Sequence, residues 1–237
     1  MERLIEPEIL DDLAVGDPLA AGSRRDLRRI NWWMGNLRAC RRGIEVVIGR
    51  RRPGRLVELG CGDGTFMMEL ARCGPQEWRG TEVWLVDRAP AVCAETVSAI
   101  EAAGWRARVV RADVFEWLRE APEADVYLAN LFLHHFENAR LETLFRAVAA
   151  RGAGLVACEP RRSRWGLEAS RLVGLIGCNR VTRHDAVVSV RAGFAGNELT
   201  ELWPRNAGWV LEEGGTGMFS HLFTARPDVR HGGGSSA

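Results

Sequence analysis

A glycine-rich stretch with two acids in it is the part of the sequence most suited to chemistry. The run LVELGCGDGTF places Glu58 and Asp63 beside three alternate glycines, Gly60, Gly62 and Gly64. A glycine turn before a helix usually holds phosphate, because free backbone N–H groups attract anions. Two carboxylates here would repel a pyrophosphate, and the spacing is not the G-x-G-x-x-G of dinucleotide sites. The pattern favours a positively charged ligand, such as a zwitterionic amino acid group beside a sulfonium.

Two further acids follow the next two apolar runs. Asp87 ends the run EVWLVD, where a carboxylate can accept hydrogen bonds from both hydroxyls of a ribose. This position alone does not separate NAD from other nucleosides. Asp113, in RADVF, can accept from an exocyclic amine such as that of adenine, and its alternative role is to cap a helix that begins near Val114. The series of acids predicts a nucleoside ligand.

Three histidines are candidate catalytic groups. His134 and His135 follow the apolar run ADVYLANLFL, at the carboxyl end of a predicted strand, where open α/β sheets place their sites. We predict that His135 is the general base that removes a proton from a hydroxyl, with His134 and His184 as the other candidates. A purely structural role for the histidine pair is the alternative.

Four residues are candidate substrate contacts. Trp32 and Arg38 lie on a predicted N-terminal helix that either closes over a ligand or presents a solvated face. Arg162 belongs to a basic cluster that could bind a carboxylate or form a solvated rim. Glu159 ends the fifth predicted strand at the same rim, where it could orient an arginine or bind substrate.

Alternating strands and helices must position these groups. From residue 55 onward apolar runs that suit buried strands alternate with helical patterns, which indicates an open α/β sheet with right-handed crossovers. We predict strands at the runs RLVELG, EVWLVDR, ARVVRAD, ADVYLANLFL and GAGLVACEP, followed by a hairpin in GWVLEEGGTGMFSHLFTARP. In the N-terminal part, Ser23 to Asp26 resembles a capping box at the start of a helix that reaches about residue 48, with a break near Gly43.

The predicted organisation has three parts. Residues 1–54 form an N-terminal helical segment that closes over the site. Residues 55–226 form the ligand-binding domain, in which a helical insertion at 161–206 acts as an apolar lid. Residues 227–237 form a flexible tail. Within the insertion, Thr182 and Asp185 are predicted to cap a helix.

Composition excludes several function classes. The chain has 237 residues and a formal net charge of +1, so no overall field favours nucleic acid or an anionic membrane. All 32 basic residues are arginine, which excludes Schiff-base chemistry on lysine. The six cysteines form no C-x-x-C pair, so no metal site is predicted. Without a signal-peptide pattern or a membrane-spanning run, we expect a cytoplasmic protein. We also expect a monomer or a homodimer.

These motifs together resemble class I S-adenosylmethionine-dependent methyltransferases. VELGCGDG is similar to the family's first motif, LVDRAP to its ribose motif, RADVF to its adenine motif, and residues 209–225 to its final hairpin. The resemblance implies a Rossmann-like α/β fold: a seven-stranded, mostly parallel sheet with an antiparallel last strand and helices on both faces. It also implies S-adenosylmethionine (SAM) as cofactor, in contact with Glu58, Gly60, Cys61, Gly62, Gly64, Asp87, Arg88, Asp113, Val114 and Asn130.

The acceptor is predicted from what surrounds this core. The arginine-rich N-terminal helix and the apolar insertion resemble methyltransferases encoded beside bacterial polyketide synthases, which implies transfer to a hydroxyl of a small aromatic or polyketide-like acceptor. C-methylation of a quinone-type ring is the close alternative. RNA methylation and non-catalytic SAM binding remain further alternatives, although the chain lacks the N-P-P-Y motif of many N-methyltransferases.

Overall fold

A central β-sheet organises the chain. The computed structural model describes residues 1–14, 16–49, 51–205 and 208–228, so most of the predicted tail at 227–237 lies outside the described residues. Within the described residues there are seven strands: β1 Arg55–Leu59, β2 Glu82–Asp87, β3 Arg106–Arg111, β4 Val126–Asn130, β5 Gly154–Pro160, β6 Trp209–Thr216 and β7 Ser220–Pro227. They form one sheet in the order β3-β2-β1-β4-β5-β7-β6.

The direction of the strands confirms the predicted fold class. β1 to β5 pair in parallel, whereas β7 runs antiparallel to both β5 and β6. Every residue of β4 and β5 is buried, as expected for central strands covered on both faces. The carboxyl ends of β1, β2 and β4 therefore meet at one edge of the sheet, where the motifs predicted to bind ligand begin.

Helices cover both faces of the sheet. The α-helices among the described residues are α1 Ile9–Asp12, α2 Pro18–Met34, α3 Asn36–Ile48, α4 Thr65–Cys73, α5 Ala94–Ala102, α6 Val114–Trp117, α7 Asn138–Ala149, α8 Arg164–Arg171, α9 Arg180–Ala192 and α10 Glu198–Leu202. Short 3₁₀ turns lie at Gln76–Trp78, Leu133–His135 and Val173–Ile176. Among the described residues, no helix combines the length and the apolarity that crossing a bilayer requires.

The N-terminal helices differ from the prediction in where they begin and break. α2 begins at Pro18 because Asp17 caps it, accepting from the Leu19 N–H at 2.7 Å, and not at the predicted capping box. The break lies at Gly35, which has a φ of 73° and caps the end of α2. Gly43 instead stays inside α3, where a Cβ would lie 2.7 Å from Val156 Cγ1, so its missing side chain lets the helix lie close to the sheet.

The residues of the predicted capping boxes join α2 to α9. Asn179 caps α9 by accepting from the Thr182 N–H at 2.9 Å, so Thr182 is not the cap. The Thr182 hydroxyl lies 2.9 Å from Ser23 Oγ and 3.1 Å from Asp26 Oδ2, and all three residues are buried. Asp26 also accepts from the Asn179 N–H at 2.8 Å. This network fixes the N-terminal helix against the insertion.

We expect Asp26→Ala to lower the free energy of unfolding by about 1–3 kcal/mol, because it leaves the Asn179 N–H and the Thr182 hydroxyl without their carboxylate partner. Equilibrium urea denaturation measures the change. Glu168→Ala is the control, since Glu168 forms an exposed pair with Arg171, and it should shift the value by no more than about 0.5 kcal/mol. Equal effects of the two substitutions would contradict the role given to this network.

Candidate active site

A cavity of about 850 Å³ lies at the carboxyl edge of β1, β2 and β4. This volume falls within the range typical of pockets for small ligands. Its walls come from the glycine loop after β1, from the ends of β2 and β4, and from residues between Ile5 and Leu37. Among the described residues, none from the insertion at 161–206 contributes to the wall, whereas residues of the N-terminal segment form part of it.

The glycine loop brings backbone directly to the cavity. Gly60 has a φ of 69°, and a Cβ there would lie 2.0 Å from Phe132 Cδ2, so no other residue fits without displacing that ring. Gly62 has a φ of 54° and lines the cavity with its N–H donated to Asp87 Oδ2 at 2.8 Å. Gly64 does not border the cavity; it immediately precedes α4, and a Cβ there would lie 3.1 Å from Leu85 Cδ1.

Glu58 supplies an unpartnered buried carboxyl beside this loop. It is 2% exposed, lines the cavity, and its Oε2 has no hydrogen-bond partner. Burial raises the pKa of Glu58 well above its usual range, and the negative charges of Asp63 and Asp87 add to that rise. A buried polar atom without a partner is costly, so this position suits a ligand that brings a cationic donor.

The remaining predicted ligand residues line the same wall. Asp87, Arg88, Asp113, Val114, Cys61 and Asn130 all border the cavity. Asp113 also performs its alternative role, since its Oδ1 accepts from the Phe115 N–H at 2.8 Å and caps α6. The two roles are compatible, because a carboxylate has lone pairs for both.

Asn130 is fixed at the end of β4 by a buried amide. Asn36 Nδ2 donates to Asn130 Oδ1 at 3.1 Å, and Ser220 Oγ donates to Asn36 Oδ1 at 2.5 Å. With its oxygen engaged, Asn130 keeps its Nδ2 as a donor for a ligand. Leu131 follows with a φ of 53°, an uncommon conformation for a residue with a side chain. This turn ends β4 three residues before the predicted strand ends, and it directs residues 132–136 across the cavity.

His134 lies beneath the cavity between two carboxylates. Its Nδ1 is 2.7 Å from Glu159 Oε2 and its Nε2 is 3.3 Å from Glu8 Oε1. Burial alone would lower the pKa of His134, but hydrogen bonds to Glu159 and Glu8 raise it to about 9. Glu159 is held in turn by backbone N–H groups, including that of Leu133 at 2.9 Å. His134 is therefore an imidazolium at neutral pH, bonded through both ring nitrogens.

Glu8 belongs to the N-terminal segment, which crosses the site. Burial alone would raise the pKa of Glu8, but its hydrogen bond to His134 and the charge of His134 lower it to about 2. The N–H groups of Ile9 and Leu10 donate to the buried Asp185 carboxylate at 2.9 and 3.0 Å. Asp185 thus anchors α1 and does not cap α9. Ion-paired and hydrogen-bonded contacts hold this wall in place.

His135 lines the cavity, unlike its neighbour. Its Nδ1 lies 3.5 Å from Asp11 Oδ2, across the junction between the 3₁₀ turn and α1. Burial and then the positive charge of His134 lower the pKa of His135. His135 is therefore neutral at pH 7, the state that a general base requires.

Glu8, His134 and His135 each place a potential metal-ligand atom within 4.8 Å of the others. A metal on His134 would need one of its ring nitrogens free and unprotonated. Both nitrogens already face carboxylates, and the raised pKa favours the protonated ring. The arrangement is that of a hydrogen-bonded cluster.

Several other predicted contacts lie elsewhere. Glu159 is fully buried against His134 and backbone, and Arg162 is engaged by Glu198, the Gly193 carbonyl and the Met1 carbonyl. His184, with its side chain 49% exposed on α9, pairs with Asp185 at 2.9 Å, and Arg38 is exposed on α3; neither borders the cavity. Trp32 does border it, at the mouth, and is 77% exposed.

The sequence analysis missed several residues of the wall. Phe132 and Phe136 border the cavity beside His135, with ring centroids 4.9 Å apart. Arg140, in the first turn of α7, lies over the Phe136 ring, with Cζ 5.5 Å from the ring centroid. These three residues lie in the run NLFLHHFENAR, of which the sequence analysis singles out only Asn130, His134 and His135. The sequence analysis does not single out Glu8 or Asp11, because a four-residue helix has no periodicity to detect.

The glycine loop, its acids and the strand ends lie within one matched region. Residues 56–151 match the family model of a methyltransferase domain. This chain contains a methyltransferase domain. The resemblance inferred from the motifs is therefore confirmed, and the domain implies SAM as its cofactor.

Several solved structures share the fold of this chain. A plantazolicin methyltransferase, BpumL, in complex with S-adenosylhomocysteine (SAH), has a TM-score of 0.65 and 14% identity, over 90% of this chain and 91% of that chain. An O-methyltransferase family protein from Burkholderia thailandensis has a TM-score of 0.60 and 17% identity, over 91% of this chain and 62% of that chain. The pyocyanin biosynthetic protein PhzM has a TM-score of 0.57 and 20% identity, over 90% and 59%. No curated protein is significantly similar in sequence.

The residues of the wall fit this cofactor. The unpartnered Glu58 carboxyl suits the ammonium of the methionine part, and the open backbone at Gly62 leaves room beside it, since nothing lies within 4 Å of where its Cβ would be. Asp87 has lone pairs left for ribose hydroxyls, and Asp113 lies farther along the same wall.

The His134 cluster predicts a specific dependence of stability on pH. The folded-state pKa of about 9 is above the ordinary 6.5, so the cluster stabilises fully below pH 6.5 and this contribution is lost as pH rises through 9. We expect the free energy of unfolding of the wild type to fall more steeply between pH 6.5 and 9 than that of His134→Gln, by up to about 1.4 kcal/mol per pH unit. Urea denaturation at several pH values measures both slopes, and parallel curves would contradict the cluster.

Proposed function

We propose that the protein transfers a methyl group from SAM to a hydroxyl of a small aromatic or polyketide-like acceptor. The observation that carries this proposal is a neutral histidine, His135, in the wall of the cavity that the glycine loop also borders. A phenol has a pKa near 10, so a base that takes its proton assists transfer at neutral pH.

The acceptor side of the cavity supports an aromatic substrate. Phe132 and Phe136 offer apolar ring surfaces next to His135, and edge-to-face contact with a flat ring is favourable. Arg140 and Arg88 also border the cavity and could meet an acidic group of the acceptor. The neighbouring plantazolicin methyltransferase and the O-methyltransferase family protein are consistent with small-molecule or peptide-derived acceptors.

Each residue then has a task. When bound, SAM supplies an electrophilic methyl group on a positively charged sulfur. Glu58 and the glycine loop bind the amino acid part, Asp87 binds the ribose and Asp113 the adenine. Phe132 and Phe136 orient the acceptor ring, and His135 accepts the hydroxyl proton. The N-terminal segment covers the cavity and excludes water.

We expect radiolabelled SAM to transfer its methyl group to phenolic or polyketide acceptors, with the product identified as a methyl ether by mass spectrometry and NMR. A carbon-methylated ring would assign C-methylation instead. Label found only on RNA or protein would contradict the proposal, and so would tight SAM binding without transfer to any acceptor.

Asp87→Ala should weaken SAH binding at least about tenfold, because the ribose hydroxyls and the Gly62 N–H lose their acceptor. Equilibrium dialysis measures the affinity. Glu77→Ala, a change on an exposed residue outside the cavity, is the control and should leave it unchanged. An unchanged affinity in Asp87→Ala would remove Asp87 from the cofactor site.

His135→Ala should lower kcat about 100-fold or more while SAH affinity changes little, since a lost general base affects the chemical step. Steady-state kinetics with the acceptor from the first experiment measures it, with His184→Ala as the matched control, because His184 lies outside the cavity wall. A wild-type rate in His135→Ala would exclude it as the base.

A further inference from the structure

Asp11 places a carboxylate within ion-pair distance of His135 at the cavity wall. It comes from α1, and its Oδ2 lies 3.5 Å from His135 Nδ1. Its side chain is 53% exposed and borders the cavity. The backbone of α1 is anchored by Asp185, so Asp11 is not needed to hold that helix.

We propose that Asp11 is a positioning residue for His135, and that the N-terminal segment thereby completes the base of the transferase. This inference rests on the proposed function. The Asp11 carboxylate accepts from His135 Nδ1–H, which selects the tautomer with a lone pair on Nε2. A distance of 3.5 Å is long for this bond, but such bonds shorten when substrate closes a site.

Methyl transfer to the acceptor oxygen requires no further reactant beyond the cofactor, the acceptor and His135. An oxygen lone pair of the acceptor forms the C–O bond as the C–S bond of the cofactor breaks, and the sulfur leaves as a neutral thioether. The hydroxyl proton moves to His135 Nε2. The resulting imidazolium is stabilised by Asp11, and the proton returns to water through the mouth of the cavity.

The groups around His135 set its charge. His134, positive and with its ring centroid 4.3 Å away, lowers the pKa of His135 together with burial. Glu8, Asp11 and Glu159 oppose this effect with negative charge. Arg88 faces Asp11 from the end of β2. Docking of the N-terminal segment thus brings two carboxylates, those of Glu8 and Asp11, to the histidine pair.

Asp12 provides a matched control. It is the next residue on the same helix and carries the same charge, but it is exposed and does not border the cavity. Asp12→Asn therefore reproduces the change in composition, charge and helix without the contact to His135.

The experiment compares the pH dependence of kcat in wild type, Asp11→Asn, Asp11→Glu and Asp12→Asn. We expect Asp11→Asn to lower kcat at least about tenfold with little change in SAH affinity. The acidic limb of the kcat–pH profile of Asp11→Asn should move to lower pH, because the lost negative charge no longer raises the pKa of His135. Asp11→Glu should restore part of the rate and the position of the limb, and Asp12→Asn should match wild type.

A second readout does not depend on turnover. NMR titration of His135 in the SAH complex should give a lower pKa in Asp11→Asn than in wild type. Unchanged titration and an unchanged acidic limb would overturn the proposal, even if the rate falls. A wild type that transfers no methyl group would refute the proposed function, while the titration would still test the contact between Asp11 and His135.

Treatment with a chelator tests whether Glu8, His134 and His135 bind a metal ion. Activity that is lost with a chelator and restored by zinc or manganese would assign Glu8 and the histidines to a metal, and it would overturn the role given to Asp11. We expect dialysis against a chelator to leave kcat unchanged.

Discussion

The imidazolium of His134 between two buried carboxylates joins the ends of β4 and β5 to the N-terminal segment. Glu159 comes from the end of β5, Glu8 from the N-terminal segment, and His134 itself from the turn after β4. A buried charge is stable only when it is paired and hydrogen-bonded, so each part holds the others in place. The course of residues 131–136 follows from this, and with it the position of His135 in the cavity wall.

The same constraint gives neighbouring histidines opposite roles. His134 has two carboxylate partners and stays charged, whereas His135, next to that charge and partly buried, stays neutral. Two titratable groups whose environments separate their pKa values are the arrangement expected of an acid–base site. The sequence HH carries no sign of which residue plays which part, because the difference arises from Glu8, Asp11 and Glu159, which are distant along the chain.

Apolar runs and short motifs in the sequence were enough to predict the sheet and one side of the cavity. The glycine loop, Asp87 and Asp113 each follow a strand whose apolar run is evident, so their meeting at one edge of the sheet could be predicted. The other side depends on long-range contacts. α1 has only four residues, and its position depends on hydrogen bonds to Asp185, which is distant along the chain. Ser23, Asp26 and Thr182 match the sequence pattern of helix caps, but in the structure they hydrogen-bond to one another across α2 and α9. The insertion is rich in apolar residues, but Phe194 and Trp203 pack in the core and do not line the cavity.

The electrostatic character of the glycine loop is the central claim, because it decides which cofactor binds. An ammonium would give the buried Glu58 Oε2 a cationic donor and favour its ionised form, whereas a pyrophosphate would add negative charge beside Asp63 and Asp87. Calorimetric titration of the wild-type protein with SAH and, separately, with NADH tests this claim most directly. We predict saturable heat with SAH and none with NADH. Tight binding of NADH with no heat from SAH would contradict the account.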